Sequence, residues 1–518
     1  MPIRLAGLPL VADPGDASGR KFRFNPLNAD MRLFRRPRAE DDITHLSEPI
    51  NVPEPLSVRL MALAVKAAQA STNPAPDDVV EDDYGAGESI QLWRQTGSNL
   101  PVPAAAIRIC DLRDILDSSN NVIGWNHEAT IQAGTIGVDP ERGRVLLGSI
   151  ADGPLEAAFH YGTPSPIGGG DYERTPPGLD LFQQETVVNS AALQPKLNLI
   201  KAGGRLLIMD SRTYPGTPTF KVDAVTATGQ PGHEVVVAAM TSFRPLIEAT
   251  GTMILDVRQR GRLEINGLVI SGGMLHLAAA ADGETRELVL RHCTLVPGRT
   301  LNTDGSANSP GAVSLRVDHP FAKVTLIDCI TGPLVMAPDV DVEIKNCVID
   351  AGAPDRVAYA GAPAGGPGGT LIVRESTIIG KLHARSIKLA SNSIFFASRR
   401  LPPASDSWAA PVIVERRQQG CLRFCFVPVG SITPRRYRCV PDGEHPDAIP
   451  QFTSLRYGDP AYCQLRGVTD RSIRMGADDE SEMGVLHDLY QPQREANLRI
   501  RLEEYLRFGL RAGIFYAT

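Results

Sequence analysis

One short phrase returns five times between residues 261 and 428, and it leaves the chain little freedom in how to fold. It reads Leu288-Val-Leu-Arg-His-Cys293, Val324-Thr-Leu-Ile-Asp-Cys329, Val342-Glu-Ile-Lys-Asn-Cys347, Leu371-Ile-Val-Arg-Glu-Ser376 and Ile387-Lys-Leu-Ala-Ser-Asn392-Ser393. Each copy is a short alternating apolar strand, a polar residue or two, a Cys or Ser, and an aliphatic or β-branched pair. The positions 293, 329, 347, 376 and 393 lie 36, 18, 29 and 17 residues apart, a period near 18 with insertions. Strands that return at a near-constant period are the sequence sign of stacked coils, each about 4.8 Å above the last.

A right-handed parallel β-helix is therefore expected over residues 179–428. Equivalent residues of successive coils sit above one another in such a stack. Cys293, Cys329, Cys347, Ser376 and Ser393 should form an inward column of small side chains. His292, Asp328, Asn346, Glu375 and Asn392, one place earlier, should line a bend as a polar ladder. The Gly/Pro-rich insertions 297–310 and 351–369 break the period and are expected to project as loops.

The chain as a whole reads as mainly all-β, with four regions. Residues 1–85 are rich in Pro, Asp and Arg, with one helix signal that follows Pro55, has Ser57 as its N-cap and runs from Val58. They read as an extended arm, too poor in apolar surface to offset the entropy of ordering alone. Ile43, Leu46, Ile50 and Val52 are its candidate partner anchors. Residues 86–178 read as a small antiparallel β-domain, with a tight turn at Asp139-Pro-Glu-Arg-Gly143. Residues 429–518 read as a C-terminal closure ending in an amphipathic helix near 493–512, with a stripe at Leu498, Leu502, Tyr505 and Leu506.

Net charge of −6 argues against a nucleic-acid binder, which needs a concentrated basic surface. No apolar run reaches the length of a membrane span. Eight cysteines spread over 518 residues read as buried free thiols, and a cytoplasmic protein is expected.

Catalytic chemistry finds little support. Asp339 and Asp341, Asp328 and Asp350, with Arg356 or Arg374 beside them, are the candidates for a polysaccharide-cleaving site, but they form no compact acidic pair in the repeated strands. Asp478, Asp479, Glu480 and Glu482 lack the alternate spacing of a calcium loop, and a solvated loop or ion pairs to the arginines at 435–438 is expected. Cys421, Cys425, Cys439 and Cys463 are too irregularly spaced for zinc. His276, His292, His319 and His383 show no triad or ligand pattern. No catalytic residue, metal or cofactor is assigned.

Several phrases resemble a family of pectin-lyase-like β-helix proteins encoded with phage-tail-like contractile injection systems. They are Ile43-Thr-His-Leu-Ser-Glu-Pro-Ile-Asn-Val-Pro, Val138-Asp-Pro-Glu-Arg-Gly-Arg, Tyr161-Gly-Thr-Pro-Ser-Pro-Ile-Gly-Gly-Gly-Asp-Tyr-Glu-Arg, Gly420-Cys-Leu-Arg-Phe-Cys-Phe-Val-Pro, and the end from Gly476 to Thr518. The resemblance implies a structural part near a baseplate or sheath, with other particle subunits as partners, and supplies no active-site residues. The alternative is a carbohydrate-binding or polysaccharide-degrading protein that uses the groove along the coils. Sparse aromatic residues in the repeats weigh against it.

Overall fold

The computed structural model describes residues 2–39, 49–69, 83–96, 98–174, 183–225, 230–362, 365–400, 407–511 and 513–514. The fold is mainly β and is dominated by two large parallel sheets, of 18 and 8 strands, as a solenoid requires. Each full coil contributes three strands, so the stack has three faces.

On the first face, Leu206, Val237, Ile265, Leu290, Leu326, Ile344, Val373, Ala390 and Leu422 pair in register from coil to coil. Met253, Leu275, Leu315, Leu334, Tyr359, Leu382 and Val412 do so on the second. The third face holds Tyr214, Ile247, Ile270, Leu295, Thr331, Ile349, Ile378 and Phe395. All three columns point inward and are buried. The alternation in sequence exists because successive strand residues point to opposite sides of a sheet.

Cys293, Cys329, Cys347, Ser376 and Ser393 are fully buried at the corner between the first and third faces. The same corner recurs at Cys425 and Cys439, and a further strand, Arg435–Tyr437, carries the stack past residue 428. Two expected loops are in part structural. Val357–Ala360, inside the 351–369 insertion, is a second-face strand, because the coil needs Tyr359 to fill the column between Leu334 and Leu382. The 297–310 insertion is held between neighbours: the Asp30 N–H donates to the Thr303 carbonyl at 2.7 Å and Arg456 Nη1 to the Asp304 carbonyl at 2.9 Å.

Residues 1–85 do not form a separate arm where they are described. Pro2–Pro9 pairs antiparallel with Leu155–Gly162 in a four-stranded sheet. Val11–Ala12 and Lys21–Arg23 join a five-stranded one, in which only Ile107–Ile109 runs parallel to its neighbour. Leu5, Leu8, Phe24, Leu33, Leu56, Met61 and Val65 share one core with Ile90, Leu92, Val138, Val145 and Phe159. The entropy argument fails because these apolar residues are pooled with those of residues 86–162. The helix Val58–Gln69 is present, and the side chain that meets its first N–H is Glu141, at 3.0 Å from the Val58 nitrogen. Of the four anchors, Ile43 and Leu46 lie outside the described residues, Ile50 is half-buried and Val52 is exposed.

The C-terminal helix spans Gln491–Tyr505, shorter than expected and without a single buried residue. The segment before it, 450–490, lies on the outside of the third face, where Tyr462, Cys463, Val485 and Leu486 pack on Ile330, Val348 and Ile379. No helix among the described residues is long and apolar enough to cross a membrane.

Candidate functional site

The bend at the Cys/Ser corner is built by one device repeated. His292, Asp328, Asn346, Glu375, Asn392, Phe424 and Arg438 all take positive φ, between 46° and 53°. That conformation costs an L-residue roughly 1–2 kcal/mol, least for Asn and Asp. The next side chain closes the bend by donating to the carbonyl two residues back. Cys329 Sγ donates to Ile327 at 3.2 Å, Cys347 Sγ to Lys345 at 3.0 Å, Ser376 Oγ to Arg374 at 2.6 Å and Ser393 Oγ to Ser391 at 2.7 Å. The same atoms accept from the coil before. The Cys329 N–H reaches Cys347 Sγ at 3.3 Å, Cys347 reaches Ser376 Oγ at 3.1 Å, and Ser376 reaches Ser393 Oγ at 3.2 Å. Only a small side chain that both donates and accepts satisfies this position, which explains the alternation of Cys and Ser. Burial pushes the Cys293, Cys329 and Cys425 thiols well up, so they are inert as nucleophiles.

Outside this corner, two separate segments clasp the third face in the same way. Val269, Thr294, Ile330, Val348, Thr377 and Ile394 form its outward column, and all are buried. Over the middle of it, the Gly168 N–H donates to the Asp328 carbonyl at 2.8 Å and the Gly169 N–H to Thr294 Oγ1 at 2.9 Å. Further along, the Gly484 N–H donates to the Asn392 carbonyl at 2.8 Å and the Val485 N–H to Thr377 Oγ1 at 3.1 Å. Each clasp therefore uses one ladder carbonyl and one threonine hydroxyl. Gly168 and Gly484 have φ of +72° and +99°, and a Cβ on either would run into that threonine.

The first clasp buries charge. Arg244 Nε donates to the Gly169 carbonyl at 3.0 Å, and Arg174 Nη2 donates to the Met240 and Phe243 carbonyls at 2.9 and 3.0 Å. Burial pushes the Asp171 carboxyl up to about 7 against the opposing charges of Arg244 and Arg174. A small cavity of about 60 Å³ lies beside it, among Tyr161, Arg244, Tyr457 and Tyr462.

The carboxylates weighed for catalysis are dispersed. Asp339 pairs with Arg385, and Asp341 with Lys388 at 3.0 Å. Asp328 accepts from Asn346 Nδ2 at 2.6 Å, and Asp350 is buried against the Tyr462 hydroxyl at 2.6 Å. Arg374 pairs with Glu343 at 2.7 Å, and Arg356 donates to the Pro310 carbonyl at 2.7 Å. No two of these acids converge on a shared reacting position.

The acidic run at 478–482 serves the second clasp and does not pair with the arginines at 435–438. Asn392 Nδ2 donates to Asp478 Oδ1 at 2.7 Å, and Ser481 Oγ donates to Asp479 Oδ1 at 2.6 Å. Sequence reasoning missed His487, whose Nδ1 lies 2.7 Å from Ser481 Oγ and whose Nε2 lies 3.5 Å from Asp479 Oδ2. Ser, His and Asp thus meet, yet the arrangement is not nucleophilic. Nδ1 also faces the Glu482 carbonyl at 3.1 Å, which can only accept, so Nδ1 carries its proton and cannot take one from Ser481. Ser481 is fully buried as well.

The four cysteines weighed for zinc do not gather. Cys425 and Cys439 belong to the inner column, Cys421 is half-buried on the first face, and Cys463 packs on the third. His276 is held by Asp318 at 2.8 Å, His383 meets Trp408 edge to face, and His319 is buried near Asp282 at 3.9 Å. The C-terminal helix is tied at its start, where Gln493 Nε2 donates to the Asp479 carbonyl at 3.1 Å and Glu495 faces Arg474 at 3.5 Å, while Leu498, Ile500 and Tyr505 are exposed, followed by exposed Phe508 and Leu510.

No family model, no curated protein and no solved structure matches the chain.

Proposed function

We propose that this protein is a non-catalytic structural and interaction component of a phage-tail-like contractile injection particle. In this reading it is a right-handed parallel β-helix, assembled in the cytoplasm beside the baseplate, and its partners are other subunits of that particle. The observation that carries an interaction role is the C-terminal helix, Gln491–Tyr505, which buries no side chain and in which Tyr505 is 85% exposed. An isolated helix of this length is marginal in water, and the Arg499–Glu495 pair at 2.7 Å adds only a few tenths of a kcal/mol. Leu498 and Tyr505 share one side of this helix, and exposed apolar side chains grouped in this way suit a protein contact.

The outer surface of the first face supports the same reading over a glycan groove. Glu234, Arg262, Glu287, Lys323 and Asp341 stand in one column, alternate in sign and neutralise each other, offering no ring for a sugar to stack on. The test is to end the chain after Leu489 and follow both its melting temperature and its co-purification with tail-like particles. Retained folding with lost association is expected. A shortened chain that still joins the particles at wild-type levels overturns the assignment of the contact to this helix.

A further inference from the structure

The second clasp and the start of the C-terminal helix border an open pocket of about 250 Å³ whose mainly apolar wall carries several charged side chains, and the clasp alone does not account for its chemistry. Its lining includes Gln464, Arg466, Arg474, Glu482, Gln491 and Glu495. Glu482 is only 6% exposed, yet its carboxyl makes no hydrogen bond or ion pair among the described residues. Its oxygens open onto the pocket, so they offer an uncommitted acceptor for a ligand there. The neighbouring charges are already committed. Arg474 donates to the Gly467 carbonyl at 2.9 Å and faces Glu495 at 3.5 Å, and Glu495 also takes Arg499. His487 touches Glu482 only through its backbone carbonyl. Arg466 stands exposed at the rim without a side-chain partner among the described residues.

We infer that this cavity is a binding site for a cationic nitrogen, an ammonium or guanidinium group seated on the Glu482 carboxyl, with Arg466 placed to take a carboxylate of the same ligand. The cavity has room for a single amino acid or one basic side chain and for nothing much larger. A free amino acid and a basic side chain of a partner protein share this chemistry, and Arg466 favours the free amino acid. The proposal does not depend on the assembly role. Burial pushes Glu482 up to about 8, with Arg474 opposing, so the empty site holds a proton at neutral pH that a bound cation must displace.

The experiment is calorimetric titration of the full chain with L-arginine and with N-acetyl-L-arginine amide, in two buffers of different ionisation enthalpy. Saturable one-site binding that releases nearly one proton per ligand at about pH 7, and little at about pH 9.5, is expected. Tighter binding of L-arginine than of the capped form, lost in Arg466→Ala, identifies a free amino acid; the reverse order identifies a basic side chain. Glu482→Gln, checked for a melting temperature no lower than that of the wild type near neutral pH, should weaken binding at least tenfold. The proposal is overturned if neither probe binds, if binding releases no proton, or if Glu482→Gln binds as well as the wild type.

Discussion

At Cys347 a single side chain holds two coils together. Its thiol donates to the Lys345 carbonyl and accepts the Cys329 N–H, so a replacement must do both. Cys347→Ser preserves both bonds and should lower stability by no more than about 1 kcal/mol, as the natural serines at 376 and 393 suggest. Cys347→Val leaves a buried N–H without an acceptor and crowds the corner, at a cost of about 2–3 kcal/mol. Urea midpoints at constant m-value would check the order, and equal losses for the two variants would remove the hydrogen-bond explanation. Glu482 gives a residue-scale prediction in pH. Its carboxyl is raised in the folded chain relative to the unfolded one, so its contribution is fully present below about pH 4.5 and is lost as pH rises through about 8. Glu482→Gln removes that loss, and the difference in unfolding free energy between variant and wild type should shift in the variant's favour by roughly 1–4 kcal/mol from about pH 5 to about pH 9. A difference that stays flat with pH contradicts the buried, unpaired carboxyl.

At the scale of elements, the third face is a base for two clasps. Gly168 and Gly484 each sit at positive φ with the backbone pressed on a threonine, Thr294 and Thr377. Alanine at either position should cost about 1–3 kcal/mol through strained backbone and displaced contact. Because the clasps stand on different coils and share no side chain, the double variant should be near the sum of the singles. A scan of melting temperatures decides this, and alanine variants as stable as the wild type would mean that the clasps are loose.

The strands of the first face and the Cys/Ser corner were legible in the sequence for a physical reason. Stacking makes the same chemical demand at the same place in every coil, so His292-Cys293, Asp328-Cys329 and Asn346-Cys347 repeat. The third face was hard to see, because its strands are only two or three residues long and too short for a period. Tyr359 was hidden inside a Gly/Pro-rich insertion. The clasps were illegible because a glycine that touches a threonine 126 residues after it (Gly168) or 107 residues before it (Gly484) carries no local mark, and Ser481 meets His487 only after the 476–489 segment folds back. The early residues were misread as an arm because their apolar side chains are counted correctly only together with those of strands far along the chain, such as Leu155–Gly162.

Taken as a whole molecule, the chain packs apolar residues into the stack and its clasps and leaves the C-terminal helix without a buried side chain. A stiff stack that leaves this helix and the strand Arg435–Tyr437 exposed suits a part that is held by others. The most direct measurement is hydrogen exchange of the Gln491–Tyr505 amides in the free protein and after mixing with tail-like particles, its proposed partners. The free helix should exchange within seconds, since no side chain of it is buried and it can open without disturbing the solenoid. Incorporation should slow those amides at least a hundredfold, about 3 kcal/mol of added protection, while the inner-column amides stay as slow as before. Amides of this helix that exchange equally fast in the particle would contradict the proposal that it is the contact through which the protein acts.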